Sequence, residues 1–268
     1  SGTDLITAVE LWDKGASEYV TADNVNLSTI SSSTLASSSA FFNEATGKGT
    51  TTRLYTTGEE FPPFTFGPAL DRTDGGRAFA VAVDGPDAGT AFELPLFGNM
   101  PFENLVPNPH PQDLTVVLVP DDEDLAGRIY LYVGTKTTEG NDITKAGLTN
   151  GMLYGLVVEG KTQFPGDTFS GGESVSFIAL PDLTNVDHQD RERLSIEAGL
   201  TQFADLEDGD WDRTNLNRFY FASNGTRGGD DVPTRLWRVT LTDITNPTLG
   251  GVIDVVVDGA DPHLRTFD

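Results

Sequence analysis

A chain of 268 residues with 37% hydrophobic content can bury a sizeable core, so disorder is not the default. Its 41 acidic against 17 basic residues give a net charge of −24, which repels phosphate backbones, argues against nucleic-acid binding and makes cations the natural partners; a solvated surface adapted to salty water is the other reading of the same acidity. Cysteine is absent, which removes disulfides, thiolate ligands and cysteine nucleophiles together, and no apolar run approaches the roughly 20 residues that a membrane-spanning helix needs.

In chain order, the Ser-rich stretch 24–39 reads as a surface loop, and residues 34–43, where Ala and Phe are grouped, as a short helix. Short apolar, β-rich runs follow at 52–56, 78–83, 114–119, 129–135, 153–158 and 175–180. Alternating charges with Leu194 and Ile196 predict a second short helix over 187–198, after which strands are expected at 218–222, 236–241 and 252–257. Turn signals such as Asp74-Gly75-Gly76, Asp84-Gly85-Pro86, Asn150-Gly151, Asn224-Gly225 and Asp258-Gly259 separate the runs. The pattern is an all-β meander of antiparallel sheets in one domain over 1–268. Sandwich, barrel and propeller all accommodate these strands, and the long acidic loops favour a β-propeller, where loops from several blades gather at one end.

The three histidines, His110, His188 and His263, lie far apart without metal-type spacing and read as ordinary loop residues. A bound metal is therefore left to oxygen ligands, which favours calcium, magnesium or another hard cation. Gly58-Glu59-Glu60 places two carboxylates past a strand, where alternation lets one of Glu59 and Glu60 face any given ion. Glu103, between Phe102 and Leu105, is carried toward an apolar environment and needs a partner: a metal, Arg77 or backbone donors. Asp121-Asp122-Glu123-Asp124 reads as an exposed turn or a hydrated calcium site. Glu207-Asp208-Gly209-Asp210-Trp211-Asp212 concentrates four carboxylates in six residues around a glycine bend, with Trp211 as an apolar anchor. A solvated acidic turn is the alternative there as well.

Other chemistries lack their signatures. There is no Gly-x-Ser-x-Gly elbow, Gly-rich phosphate loop or His-Glu-x-x-His run. Asn26-Leu27-Ser28 and Asn224-Gly225-Thr226 match the glycosylation sequon, a pattern too short to carry weight. Trp12, Trp211 and Trp237 are too scattered to suggest the aromatic platform of a sugar-binding domain.

Several ordered segments resemble the PhoX-like phosphatase family: Gly75-Gly76-Arg77-Ala78-Phe79-Ala80, Asp84-Gly85-Pro86-Asp87-Ala88-Gly89-Thr90, Glu93-Leu94-Pro95, Tyr130-Leu131-Tyr132-Val133-Gly134-Thr135-Lys136, Lys145-Ala146-Gly147-Leu148-Thr149-Asn150-Gly151, Glu207-Asp208-Gly209-Asp210-Trp211-Asp212 and Arg235-Leu236-Trp237-Arg238. The resemblance implies a secreted or periplasmic β-propeller in which loop carboxylates bind iron and calcium to hydrolyse phosphate monoesters. It implies metal positions at Glu59 or Glu60, Glu103, Asp122, Glu207 and Asp208, with Glu103 and Glu207 meeting at a shared cation. The family's Cys-Glu-Glu element has Gly58-Glu59-Glu60 as its nearest counterpart, so the iron-binding thiolate is missing. That loss keeps a non-catalytic, calcium-stabilised extracellular module as the alternative. The resemblance also implies an incomplete propeller, with 264–268 leading into further family sequence or another chain completing the ring.

Overall fold

The computed structural model describes residues 6–22, 25, 27, 29–60, 76–123, 126–161, 168–225 and 232–259. Asp124, His263, the segment 264–268, part of each sequon and most of the 74–76 turn lie outside them. Within them the chain is almost all β. It begins with a hairpin of β1 (Ala8–Asp13) and β2 (Glu18–Thr21), then β3 (Ile30–Leu35), a one-turn helix α1 (Ser38–Phe41) and a two-residue ladder of β4 (Phe42–Asn43) with β5 (Lys48–Gly49). Next come β6 (Leu54–Glu59), β7 (Ala78–Ala82) and β8 (Thr90–Glu93), followed by the short β9 (Val106–Pro107), β10 (Leu114–Pro120) and β11 (Ile129–Thr135). The remainder is α2 (Asp142–Lys145), β12 (Met152–Val158), β13 (Glu173–Ala179), α3 (His188–Glu197), β14 (Leu206–Trp211), β15 (Arg218–Ser223), β16 (Arg235–Leu241) and β17 (Gly251–Asp258).

Three four-stranded antiparallel meanders organise these strands: β3-β6-β7-β8, β10-β11-β12-β13 and β14-β15-β16-β17. Period-2 alternation explains how they stack. On β10, Val116 and Leu118 enter one core while Val117 and Val119 enter another; on β11, Ile129 and Leu131 part from Tyr130 and Tyr132 in the same way. The middle meander is thus buried on both faces, which is why β10 reads as a continuous apolar run rather than an alternating one. Its first face packs on Ala78, Ala80 and Ala82 of β7, and its second on Phe219, Phe221, Trp237 and Val239 of the third meander. The first strands converge, with β3 beside β9 and β9 and β10 beside β14. Stacked meanders with converging first strands are the arrangement of a β-propeller, as expected from the sequence.

Two features depart from a simple row of meanders. β13 pairs with β17 through Glu173↔Ile253, Ser174↔Val252 and Val175↔Gly251, joining the second and third meanders into a nine-stranded sheet. The two ends of that sheet are tied by Trp211, whose Nε1 on β14 donates to the Val106 carbonyl of β9 at 2.9 Å. β1 lies parallel to β8 through Ala8↔Thr90, Val9↔Ala91 and Glu10↔Phe92, so pairing is not wholly antiparallel. β1 belongs to the β1–β2 hairpin and is not joined to β8 by a tight turn that would impose an antiparallel direction.

The structure corrects the sequence in two places. Residues 30–35 of the supposed Ser-rich loop form strand β3, and the helix expected over 34–43 shrinks to α1. Serine has low β propensity, but these hydroxyls find partners across the fold, including Ser33 to Thr57 at 2.7 Å and Thr34 to the Asn104 side chain at 3.0 Å. The acidic turn at 207–212 is largely strand β14, because Leu206 and Trp211 are drawn into the second core at its ends. Helix α3 falls where the charge pattern puts it, capped by Asp187, whose side chain accepts the Asp190 N–H at 2.8 Å.

Because Trp211 both fills the second core and bonds β9, Trp211→Phe is expected to cost about 1–3 kcal/mol through the orphaned Val106 carbonyl, and Trp211→Ala about 3–5 kcal/mol. Denaturant unfolding followed by circular dichroism checks this. An unchanged stability for Trp211→Phe would mean that the indole bond contributes nothing.

Candidate functional site: an acidic junction between two bulged strands

Two β-bulges face each other where β3 meets β14. On β3 the register passes from Ile30↔Glu59 to Ser33↔Thr57, so Ser31 and Ser32 together oppose Gly58. On β14 it passes from Leu206↔Ser223 to Gly209↔Phe221, so Glu207 and Asp208 together oppose Ala222. Each bulge turns a consecutive pair of polar side chains out of strict alternation. The Ser32 hydroxyl donates to Asp208 Oδ2 at 2.7 Å, closing the gap between the strands, and Ser31 donates to Glu103 Oε2 at 3.0 Å. Asn104 adds a 2.8 Å bond from Nδ2 to Asp208 Oδ1, and Asn224 Nδ2 donates to Glu207 Oε1.

Glu103 and Asp122 reach the junction from neighbouring backbone. The Glu103 N–H bonds the Pro120 carbonyl at 3.2 Å and the Asp122 N–H bonds the Pro101 carbonyl at 2.9 Å, laying the two segments side by side at the end of β10. Burial pushes the Asp122 carboxyl up to about 9, reinforced by the negative charges of Glu103, Asp205, Glu207 and Glu60. Burial likewise raises Glu103 to about 7; Ser31 opposes the rise, and Asp208 and Glu60 add to it. Glu60 is raised by burial, a rise that the nearby Ser31 hydroxyl opposes. Five of the six expected positions, Glu60, Glu103, Asp122, Glu207 and Asp208, therefore share one electrostatic neighbourhood, and the segments carrying Glu103 and Glu207 meet there although more than a hundred residues apart. Among the described residues, no three acidic or histidine side chains are close enough together to form a ready-made cation cage.

Glu59 goes elsewhere. Fully buried, it takes Arg77 Nε on Oε2 at 2.9 Å and Arg77 Nη2 on Oε1 at 3.1 Å, a bidentate pair that leaves Glu60 to face the junction. Arg77, one of the partners considered for Glu103, is engaged here, and a serine serves Glu103 instead. Asp121, beside Asp122, also turns away, onto Arg191 at 2.9 Å. Sequence reasoning missed Asp205, Ser31, Ser32, Asn104 and Asn224. Asp205 holds a left-handed backbone (φ 56°) and its carbonyl accepts the Asn224 N–H. The run Ser31-Ser32-Ser33 was the one visible signal, since consecutive hydroxyls suit a bulge better than an alternating strand. A cleft of about 540 Å³ adjoins Asp208, lined by Ser33, Thr34, Asn104, Asp210, Tyr220 and Leu236 among others.

The donors gathered at the junction are all oxygen, which fits calcium, magnesium or another hard cation. They do not fit a thiolate-held iron. A Cβ built at Gly58 would lie 2.2 Å from Phe102 Cβ and 2.6 Å from its Cγ, so the place that the resemblance gives to cysteine is filled by a ring.

No protein-family model matches the sequence, and no curated protein matches it. Among solved structures the fold is similar to that of Pseudomonas fluorescens PhoX in complex with vanadate, a transition-state analogue, at 16% identity and a TM-score of 0.52. The match covers 75% of this chain and 45% of PhoX, so this chain aligns with less than half of that protein. The likeness supports a β-propeller fold. It does not restore a sulfur ligand: Gly58→Cys is expected to lose about 1–3 kcal/mol by overpacking against Phe102 and to bind no more iron than the parent chain. Denaturant unfolding and metal analysis of the purified variant check both, and a stable variant with stoichiometric iron would show that Phe102 gives way.

Proposed function

We propose that the acidic junction binds a hard divalent cation, calcium foremost, and that the cation-loaded site acts on phosphate monoesters in a secreted or periplasmic setting. The observation that carries the reading is the crowding of half-buried Asp122 and buried Glu103 among Glu60, Asp205, Glu207 and Asp208, which raises both carboxyls toward their protonated forms where a cation would hold them charged. A bound cation would supply Lewis-acid neutralisation of phosphoryl oxygens at this strongly negative surface. Glu60, Glu103, Asp122 and Glu207 would hold it, while Ser31, Ser32, Asn104 and Asn224 fix the directions of the carboxylates. The adjoining cleft, with Tyr220 and Leu236 on one side and Asn104 and Ser33 on the other, offers room for the organic part of an ester. The fold likeness to PhoX supports the phosphate assignment. Millimolar calcium outside cells suits a site whose ligands must first lose protons.

The missing thiolate supports a second reading, in which the cation stabilises the fold and no chemistry follows. One assay series separates the two. The protein is stripped with chelator, reloaded with calcium, magnesium, manganese or iron, and measured for thermal midpoint and for hydrolysis of a chromogenic phosphomonoester. The enzyme reading expects calcium-restored turnover that Glu207→Gln abolishes with the fold intact. Restored stability without turnover under any metal decides for the module, and no response of either quantity removes the cation altogether.

Stability should also depend on pH in a direction the junction fixes. The folded Glu103 and Asp122 carboxyls titrate above the ordinary carboxylate value of about 4, so the folded state binds their protons more tightly than the unfolded chain. Their stabilising contribution is present in full below that value and is lost as pH rises through about 7 for Glu103 and about 9 for Asp122. Cation-free protein is therefore expected to lose thermal stability steadily from about pH 5 to about pH 9, with calcium or Asp122→Asn flattening the slope. Thermal scans across that range check it, and a midpoint that rises with pH in the cation-free protein would contradict the assignment.

A further inference from the structure

We propose that an internal water molecule bridges Arg128 and Asp121 and completes a buried ring of charged groups through which helix α3 docks on the sheet. A docked helix ordinarily presents an apolar stripe to the core. Leu194 and Ala198 of α3 do pack against the first core, but its fully buried residues are Arg191 and Ser195, with Glu192 beside them and Ile196 in water. Positions 188, 191, 192 and 195 fall on one face at helical spacing, so the side that meets the sheet is polar. Such a face is held only where its hydrogen-bonding groups find partners.

Arg191 finds a partner for every nitrogen. Its Nε donates to the Asn99 carbonyl at 3.3 Å and Nη2 to His188 Nδ1 at 3.1 Å, while Nη1 reaches Asp121 Oδ2 at 2.9 Å, the Tyr130 hydroxyl at 3.0 Å and Glu192 Oε1 at 3.1 Å. Ser195 donates to the Arg191 carbonyl at 2.9 Å, which leaves its oxygen to accept the Tyr130 hydroxyl, also at 2.9 Å. Arg128, equally buried, is bonded at one end only: Nη1 donates to Glu192 Oε1, while Nε and Nη2 have no partner among the described residues. That pair is the forked edge with which Arg77 holds both oxygens of Glu59. Asp121 Oδ1, buried in the same ring, has no partner either. The two loose ends are neighbours. Asp121 and Arg128 extend the β10–β11 ladder one pair beyond Pro120↔Ile129, with the Asp121 N–H on the Arg128 carbonyl at 2.9 Å. Side chains directly opposite on a ladder leave the same face about 5 Å apart.

Charge decides what joins them. Arg128 and Arg191 are matched one to one by Glu192 and Asp121, so an anion on the fork would add a further negative charge beside two carboxyl groups where little water screens it. A water molecule has the right polarity at both ends. Its oxygen accepts from Nε–H and Nη2–H and one of its hydrogens goes to Asp121 Oδ1, about the three bonds typical of a buried water. The ring then closes, from Arg128 through Glu192, Arg191 and Asp121 to the water, and ties α3 to the end of the β10–β11 ladder.

The full chain is crystallised from bromide-containing solution and its diffraction recorded on both sides of the bromine absorption edge. Expected is an oxygen-sized peak within hydrogen-bond reach of Arg128 Nε, Arg128 Nη2 and Asp121 Oδ1, without anomalous signal. A bromide peak there would assign the fork to an anion, and direct contact between Arg128 and Asp121 with no peak would leave no site; either result overturns the water. In solution, Arg128→Lys keeps a charge for Glu192 and gives up the fork. Amide exchange at Ser195 is then expected to quicken about tenfold, the loss associated with one hydrogen bond, with exchange at Val239 unchanged. Unchanged exchange at Ser195, or equal acceleration at Val239, would mean that the ring does not dock α3. Where the variant fails to fold, the crystallographic result on the parent chain still decides for or against the water.

Discussion

Burial of the middle meander on both faces is the constraint from which the rest of the architecture follows. A sheet with Val116 and Leu118 on one side and Val117 and Val119 on the other cannot face water on either. It must be covered by a second sheet and a third, and the three meanders then stack with their first strands drawn together. Small residues on β7, the alanines at 78, 80 and 82, let the first meander approach closely, while aromatic rings of the third meander fill the opposite side. Phe203 and Trp237 meet edge to face at 5.3 Å, as do Trp211 and Phe219 at 5.2 Å.

That stacking brings carboxylates together at a place where no strand pairing satisfies them. Two facing bulges widen the meeting point of β3 and β14 and turn Ser31, Ser32, Glu207 and Asp208 into it. Partial removal from water, reinforced by the neighbouring acids, raises the carboxyls of Glu103 and half-buried Asp122 well above the usual range. Hydroxyl and amide donors orient these groups without neutralising them. Neighbouring carboxylates are withdrawn into ion pairs instead, Glu59 with Arg77 and Asp121 with Arg191, although burial still raises Asp121 to about 7 against its arginine.

The likeness to PhoX and the physical character of the junction concern different levels. The first concerns chain path and covers less than half of the other protein, and the second concerns which side chains share a field. Where they part is at Gly58, whose Cβ position Phe102 occupies. A chain that follows the fold with oxygen donors alone has a chemistry set by its own carboxylates, and oxygen donors are the ground on which calcium is proposed ahead of iron.

Nine of the meander strands, helix α3, the lack of sulfur ligands and the identity of the acidic residues were legible in the sequence, because alternation, capping and composition are local properties, whereas the four-residue β8 was too short to show a pattern. The Ser-rich β3 and the acidic β14 were not, because neither has the apolar pattern of a strand: β3 is held by hydroxyl partners more than twenty residues distant, and β14 by Leu206 and Trp211 at its two ends. The sequence narrowed Glu59 and Glu60 to one facing residue without choosing; the bidentate reach of Arg77 across the sheet chose Glu60. Which carboxylates share a field, and which are withdrawn into ion pairs, depends on distances between segments far apart along the chain, and such distances exist only once the meanders are packed.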